Sequence, residues 1–459
     1  MIVGRAASAL RRGGVVAAGT SLAFALPATA SAHQLSAIYE SRLPLAVYLA
    51  GAAAAVALSF AFILLRDVRA APAVDDGRRI RPPRWLRGGL RIVGLLAFVW
   101  IVVQGLFGGG ASDAEVTRLF LWVYGWVGVA LVCAFIGPAW HWLDPFSTLY
   151  DVTAAALRRV GVRGFEPTSY PDGLGCWPAV VGFAALIWLE LVAQGGGSRT
   201  LFVIVVGYTA FSLAMMAQFG RDEWRARGEI FSVWFGLLGR LAPFGPPDAT
   251  GALQRRPFAS GLLEGGWRRE DLVLIALGTG SILFDGVSQT AVWVGLFGLP
   301  ATLPQTMLVI AFLAVIIGLA LGVSRLIGVP ATAAGLLPIA VGYLLAHYLT
   351  YLLIEGQRIV VAISDPLQRG LDLFGTAFFE PSGAWLPPSL VWTVQFAAVV
   401  GGHMLGAWGG HVVAARHLGE AGGARELRLR QVPLALVMVG LTTLTLWSLG
   451  QALFKPVSG

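Results

Sequence analysis

The sequence has few charged residues and almost no lysine. Asp, Glu, Lys and Arg make up 13% of its 459 residues, whereas hydrophobic residues make up 56%; soluble globular domains carry about 25% charged residues. Its one lysine is Lys455, so the formal net charge of +8 comes from arginine. This composition excludes a soluble globular chain and predicts a membrane protein.

Several motifs of soluble enzymes are missing as well. The sequence contains no Walker loop, dinucleotide-binding fingerprint, G-x-S-x-G elbow or H-E-x-x-H motif. A nucleotide-driven pump is therefore not predicted. Cysteine is limited to Cys133 and Cys176, which map to predicted cytoplasmic ends of spans, where thiols stay reduced. We predict two structural thiols and no disulfide.

Long apolar segments are abundant. Ten of them are close to the length that crosses a bilayer. They are residues 43–65, 88–107, 116–138, 177–194, 200–219, 271–292, 306–324, 331–353, 391–415 and 432–454. We predict an all-α, polytopic transmembrane bundle within residues 33–459, with the lipid bilayer as its partner.

Arginine is concentrated in alternate loops. The loops 66–87, 139–176 and 220–270 hold the largest groups of arginines. Arg325 and Arg416 lie in later loops of the same alternate set. Because basic residues favour the cytoplasmic side, we predict that both ends of the mature chain lie outside the cytoplasm, with the protein in the plasma membrane. The same pattern argues against a nucleic-acid-binding face.

The first 32 residues have the three parts of an export signal. A basic region precedes the apolar run 15–26, and small residues end at Ala32. Cleavage after this alanine would leave His33 as the first mature residue. Its amino group and ring together could chelate Cu(II), provided that a second histidine lies nearby.

Two cytoplasmic segments have the pattern of interfacial helices. One is predicted near 145–159, with Asp144 as its N-cap. The other is predicted near 229–243, where an apolar face lies opposite a polar face that includes Glu229.

One external loop, 354–390, is large. It contains Asp365-Pro366, which we interpret as a second capped helix start. Its spacing from Asp144-Pro145 fits an inverted five-plus-five repeat. Because Asp-Pro is also an ordinary helix start, coincidence is the better explanation of the match.

The segment Val391–Ala415 is long enough to span a bilayer. It nevertheless contains a histidine, His403, which would be costly in contact with lipid. Small residues recur at every fourth position, a spacing that lets helix backbones touch. They are Ala398, Gly402, Gly406, Gly410 and Ala414. Since His403 lies beside two of these glycines on the helical wheel, we expect it to face protein and other spans to bring polar groups near it.

Titratable residues within spans are costly and usually functional. Glu190 would lie about 6 Å below the outer mouth of its span, and Asp285 and His347 about 10 Å below theirs. This shared depth predicts one outward-facing pocket, with His403 deeper at about 18 Å. We predict catalytic roles for the first three residues.

Further polar residues flank these positions. Gln289 lies one helical turn after Asp285, Glu355 lies outward of His347, and Gln395 precedes His403 by about two turns. We predict that these residues and His403 line the pocket or form a relay.

Three interpretations of Glu190, Asp285 and His347 stay open. With His33 as a further candidate, they could hold a divalent metal such as Zn, Mn, Fe or Cu. They could instead pass protons, because histidine and desolvated carboxylates titrate near neutral pH. The third interpretation is a structural contact between helices.

Several short motifs resemble a known family. They are Trp142-Leu143-Asp144-Pro145-Phe146, Gly228-Glu229-Ile230-Phe231-Ser232, Phe284-Asp285-Gly286, Ala346-His347-Tyr348, Asp365-Pro366, Asp372-Leu373-Phe374-Gly375-Thr376, and Gln395 with Gly402-His403. With these motifs the chain resembles multi-pass actinobacterial membrane proteins labelled fenitrothion hydrolase, an organophosphate-cleaving activity. The resemblance covers most of the chain, but Asp144 stands where the family's W-x-N-P motif has asparagine.

The resemblance implies hydrolysis of an ester or phosphotriester. A water activated on a metal held by Asp285 and His347 is the arrangement that chemistry would favour. The alternatives are a transporter coupled to protons or metal ions, and a structural subunit of a membrane assembly.

Overall fold

The computed structural model describes residues 45–65, 78–109, 115–161, 166–193, 198–298, 300–418 and 424–453. The described chain is mainly helical. Its α-helices are α1 (Leu45–Leu65), α2 (Arg84–Phe107), α3 (Val116–Phe135), α4 (Trp140–Leu143), α5 (Pro145–Arg159), α6 (Trp177–Leu191), α7 (Ser198–Phe219), α8 (Arg221–Arg227), α9 (Ile230–Leu238), α10 (Arg269–Ser288), α11 (Ala291–Phe297), α12 (Thr302–Ile327), α13 (Val329–Glu355), α14 (Ile359–Ser364), α15 (Pro388–Leu418) and α16 (Ala424–Leu453). The middle of α3, Leu119–Val129, is π-helical.

Single helical turns and one small sheet complete the described structure. The turns are Asp172–Leu174, Ser260–Leu263 and Gly356–Arg358. Three short antiparallel strands, β1 (Arg79–Ile80), β2 (Phe244–Pro247) and β3 (Leu253–Arg255), pair in the order β1-β3-β2. They lie in the arginine-rich loops, so the prediction of an all-α bundle is confirmed for the spans.

Nine helices in the described part of the chain are long and apolar enough to cross a membrane. Nine of the ten predicted spans correspond to them. The tenth corresponds to α1, which contributes the shorter apolar run Leu45–Ala61 and packs against α15 and α16. The protein is thus a multi-pass membrane protein. We call the end with the arginine-rich loops the inner end and the opposite end the outer end.

A glycine seam joins α13 to α15, the pair with the most extensive interhelix contact. A Cβ atom at Gly406 would lie 2.2 Å from the Gly335 carbonyl oxygen, and one at Gly402 would lie 2.6 Å from the Pro338 carbonyl oxygen. The predicted contact of small residues is therefore confirmed, because no larger residue fits this backbone approach. His403, on the same helix, is fully buried as expected.

The inner end contains two buried carboxylates that cap helices. Asp144 accepts hydrogen bonds from the Phe146 and Ser147 amides at 2.8 and 3.2 Å and begins α5. Its other oxygen lies 3.3 Å from Arg225 Nε. Burial raises the pKa of Asp144, and Arg225 opposes that shift. The predicted cap is present, and an ion pair accompanies it.

The predicted polar face around Glu229 is wrong. Glu229 is fully buried, and α9 is apolar on every side as it packs against the inner ends of α3 and α6. The carboxylate instead accepts four hydrogen bonds, which replace water. The donors are the amides of Phe231 and Ser232 at 3.1 and 2.6 Å, Trp140 Nε1 at 3.2 Å and the Tyr208 hydroxyl at 2.9 Å.

The second predicted helix start is also wrong. Asp365 ends α14 instead of beginning a helix, and its carboxylate accepts hydrogen bonds from the Arg369 and Gly370 amides at 2.9 and 2.8 Å. The side chain stabilises a turn of the external loop. The comparison with Asp144 therefore gives no support to an inverted repeat. The signal segment 1–32 and His33 lie outside the described residues.

Candidate functional site

Three helices bring the predicted titratable residues together at the outer end. Glu190 is the penultimate residue of α6, and Asp285 lies three residues before the end of α10. His347 and its neighbour Tyr348 lie in the outer half of α13. Both α6 and α13 pack against α10. We call Glu190, Asp285, Gln289, His347 and Tyr348 the outer network.

The outer network is connected by hydrogen bonds. His347 Nε2 lies 2.8 Å from Asp285 Oδ2. The Tyr348 hydroxyl lies 3.2 Å from the same Asp285 oxygen and 3.0 Å from Glu190 Oε1. The other Glu190 oxygen, Oε2, is buried without a hydrogen-bond partner. The three residues that shared a predicted depth therefore meet, although their proposed roles stay predictions.

The position of Tyr348 constrains the protons of the network. A phenol carries one O–H donor, so Tyr348 can donate to Asp285 or to Glu190 but not to both at once. The second short contact is then favourable only if that carboxyl carries a proton and donates to the tyrosine oxygen. His347 is the one basic side chain beside the two acids within the outer network. A shared proton between Glu190 and Asp285 satisfies both the geometry and the charge.

One side of the network is partly open to the surroundings. The side chains of Asp285 and His347 are 18% and 15% exposed. Gln289, which is exposed, donates from Nε2 to Asp285 Oδ1 at 2.8 Å. Asp285 therefore links an accessible surface, through Tyr348, to Glu190 Oε1.

A cavity of about 10 Å³ adjoins His347 on its inward side. Tyr343, Thr445 and Ser448 contribute polar atoms to its lining. A Cβ atom at Gly286 would lie 3.6 Å from His347 Nδ1 and 3.1 Å from Ser448 Oγ, which places both groups near one another. A volume of about 10–15 Å³ holds one water molecule. His347 thus borders a space of water size.

His403 is not part of the outer network, contrary to the expectation that polar groups converge on it. Its Nδ1 donates to the Val399 carbonyl oxygen at 2.8 Å, and its Nε2 is buried without a partner. The nearest aromatic ring is Tyr343, with ring centroids 5.8 Å apart. The glycine seam that buries His403 brings backbone, not polar side chains, against it.

Two other predicted residues also lie apart from the network. Gln395 donates from Nε2 to the Ala346 carbonyl oxygen at 2.8 Å, and its Oε1 is buried without a partner. Glu355 forms an ion pair with Arg358 at 2.6 Å, one turn further along the chain. Gln395 therefore stabilises the contact with α13 beside His347. Glu355 instead forms a local ion pair at the outer end of α13.

The side chains of the outer network contact one another through hydrogen bonds. Among the residues that the structure describes, no group of three His, Cys, Asp or Glu side chains is placed to hold a metal ion. Tyr348 lies between the two carboxylates that a shared metal would have to join. The contacts in the described structure are hydrogen bonds between protein groups.

Tyr348 is the network residue that sequence reasoning missed. It follows His347 directly and points about 100° away around the helix, and the argument from depth considered only the carboxylates and histidines. A buried phenol needs a hydrogen-bond partner, and this signal would have found Tyr348.

Comparison of the chain with protein-family models, with curated proteins and with solved structures finds no match.

Proposed function

We propose that this membrane protein transfers protons through the outer network as part of a proton-coupled process. The carrying observation is the single Tyr348 hydroxyl within 3.2 Å of Asp285 and 3.0 Å of Glu190. Moving one proton along this line reverses the donors and acceptors without breaking the geometry. The network then exists in two states of similar packing, as a relay requires.

The direction of transfer follows from exposure. Asp285 and His347 are partly exposed, whereas Glu190 Oε2 is buried without a partner. A proton that arrives at Asp285 or His347 can pass through Tyr348 to Glu190. A buried carboxylate that gains this proton loses the cost of an unpaired charge in a low-dielectric environment. Protonation of Glu190 is the event to which movement of the bundle or of a cargo would couple.

Proton flux into liposomes that contain the purified protein and an internal pH dye tests the proposal. Under an imposed pH gradient and a potassium–valinomycin clamp, we expect the wild type to acidify the lumen. Asp285→Asn and Tyr348→Phe should each slow acidification about tenfold or more, since general acid–base groups contribute about 10²–10⁴ in rate. Glu355→Gln is the matched control and should behave as wild type.

Two outcomes would overturn the proposal. One is a wild-type flux no faster than that of empty liposomes. The other is an unchanged flux in Tyr348→Phe protein that folds normally, because that variant keeps both carboxylates but removes the shared hydroxyl.

A second function, hydrolysis, is supported by one observation. Asp285 bound to His347 at 2.8 Å has the arrangement of a base and the acid that orients it. The water-sized cavity beside His347 would hold the nucleophile. This proposal agrees with the resemblance to fenitrothion hydrolases. It ranks second because about 10 Å³ admits a water and not a phosphotriester.

Phosphotriester cleavage by the purified protein tests hydrolysis directly. His347→Gln should lower the rate about 10²–10⁴-fold, the usual contribution of a general base. Equal rates in wild type and His347→Gln would exclude this role for His347. The same preparations can be analysed for Zn, Mn, Fe and Cu.

A further inference from the structure

A large cavity lies at the inner end, far from the outer network. Its volume is about 1000 Å³, and its walls come from the start of α2, from α4, α8 and α9, and from the loops around β2 and β3. This volume is at the upper end of the range for small-molecule sites, about 300–1,000 Å³.

The charge of the cavity wall is strongly positive. Eight arginines line it, against four carboxylates. The arginines are Arg84, Arg87, Arg91, Arg221, Arg225, Arg240, Arg256 and Arg268, and the acids are Asp222, Asp248, Glu264 and Asp271. All four acids already have an arginine partner, since Arg221, Arg79, Arg256 and Arg268 pair with them in that order.

Two helices present these arginines as stripes. Arg84, Arg87 and Arg91 lie at positions i, i+3 and i+7 of α2, so they share one helix face. Arg221 and Arg225 lie one turn apart on α8. All five residues line the cavity, and Arg84 lies at its exposed edge.

The three arginines of α2 have few carboxylate partners. Arg91 has Asp151 at 3.4 Å, but the same carboxylate also holds Arg221 at 2.6 Å. Within the described residues, Arg84 and Arg87 form no ion pair, and Arg87 Nε is buried without a hydrogen-bond partner. A buried guanidinium atom without an acceptor is costly, because arginine cannot lose its proton.

His141 is the one histidine among the residues that line this cavity. It lies between Trp140 and Trp142 on the wall. Burial, followed by the charges of Arg225, Arg91 and Arg221, lowers the pKa of His141 to about 4. A neutral imidazole at this position adds no charge to the wall.

Positive loops alone do not account for this arrangement. Arginines that only orient a protein in a membrane need water or headgroups around them, as the exposed Arg158 and Arg159 at the end of α5 have. The cavity arginines instead converge from separate elements on one space. Convergent guanidinium groups match the oxygen geometry of phosphate.

We propose that this cavity binds a phosphate-bearing anion, with Arg84, Arg87 and Arg91 contacting its phosphate. The ligand enters from one of two sources. A soluble polyphosphate or nucleotide would come from the inner aqueous side. An anionic phospholipid headgroup would come from the leaflet, since α2 is mostly exposed along its length and borders the cavity.

Purified full-length protein in neutral detergent tests binding of the soluble source. Inorganic tripolyphosphate is titrated while thermal unfolding and binding heat are followed, with sodium chloride at the same ionic strength as the reference. We expect tripolyphosphate to raise the unfolding temperature well beyond chloride. Arg84→Gln/Arg87→Gln should weaken its affinity about tenfold or more, because each lost charge-assisted bond costs about 1.5–3 kcal/mol.

Nanodiscs test the lipid source. The unfolding temperature is compared in phosphatidylcholine alone and in phosphatidylcholine with phosphatidylglycerol. A stabilisation by phosphatidylglycerol that is lost in Arg84→Gln/Arg87→Gln assigns the site to a headgroup. Stabilisation by tripolyphosphate alone assigns it to a soluble phosphate, and both results support a phosphate site.

Arg158→Gln/Arg159→Gln is the matched control, because it removes the same charge from exposed positions on the same end. It should bind both probes as the wild type does. Three results would overturn the proposal: no response to either probe, the same response to chloride, or equal weakening in the control variant. Arg84→Gln alone, at an exposed position, serves if the double variant does not fold.

Discussion

The two ends of α10 hold opposite kinds of polar region. At the outer end, Asp285 belongs to a network with two carboxylates around one histidine. At the inner end, Asp271 pairs with Arg268 on the wall of the arginine cavity. Fourteen positions separate the two aspartates, or about 21 Å along the helix. One helix thus connects a region rich in carboxylates to a region rich in arginines.

The two regions differ in how their charge can be neutralised. Carboxylic acids and histidine gain or lose protons, so the outer network can reach neutrality with its own groups. Arginine keeps its proton, so the inner cavity needs an anion from outside. The outer network is therefore suited to exchange protons, and the inner cavity is suited to bind a ligand.

Removing one carboxylate from each region should show the largest difference between them. Asp144→Ala takes away the cap of α5 and the partner of Arg225, whose side chain is 13% exposed. A guanidinium left unpaired in this way costs about 3–5 kcal/mol. Asp285→Ala should cost only about 1–2 kcal/mol, because it removes hydrogen bonds from partly exposed side chains and leaves no permanent charge unpaired. Thermal unfolding in detergent measures both.

Asp144→Asn is the control for this contrast. Asparagine caps helices as well as aspartate does, so the variant isolates the loss of the ion pair and should fall between wild type and Asp144→Ala. Because it frees Arg225, it should also tighten tripolyphosphate binding. Equal costs for Asp144→Ala and Asp285→Ala would remove the distinction between the regions.

The sequence predicted the outer region better than the inner one. Depth within three separate spans was enough to expect Glu190, Asp285 and His347 to meet, because lipid forces charged groups toward one another. Arginines in loops carry no such constraint, so their number predicted orientation but not convergence. Glu229 was misplaced for a related reason: its charge suggested water, and only the fold supplies its four donors.

The glycine seam offers a way to disturb one region alone. Gly406→Ala would bring a Cβ atom within 2.2 Å of the Gly335 carbonyl oxygen, so α13 and α15 must separate. We expect a cost of about 1–3 kcal/mol from overpacking. Because α13 carries His347 and Tyr348, proton flux should fall, whereas tripolyphosphate binding at α2 and α8 should persist.

Gly401→Ala controls for the substitution itself. It lies on the same helix, and nothing is within 4 Å of its added Cβ atom. It should leave unfolding temperature and flux unchanged or slightly improved, since alanine favours helix. A loss of phosphate binding in Gly406→Ala would mean that the two regions are coupled through the seam.

Acidification should weaken the inner region through His141. The folded-state pKa of about 4 lies below the ordinary value of 6.5, so the unfolded state binds this proton first as the pH falls. Stability from this group is full above pH 6.5 and declines toward pH 4. Between pH 7 and pH 5 the loss is about 1–2 kcal/mol. Chemical denaturation at the two pH values measures it.

His141→Gln should flatten this part of the pH dependence. Tripolyphosphate should do the same in the wild type, because an anion among Arg225, Arg91 and Arg221 offsets the charges that disfavour the protonated ring. An acid sensitivity that neither the substitution nor the anion changes would have to come from other groups.

The smallest effect is expected where the outer network meets its surroundings. Gln289→Ala removes one hydrogen bond to Asp285 from an exposed side chain, which costs about 0.5–1 kcal/mol. The line from His347 through Asp285 and Tyr348 to Glu190 does not pass through this amide, so proton flux should stay at the wild-type rate. Thermal unfolding and liposome acidification check the two expectations together. A Gln289→Ala protein that folds normally but carries no protons would place the amide on the proton path.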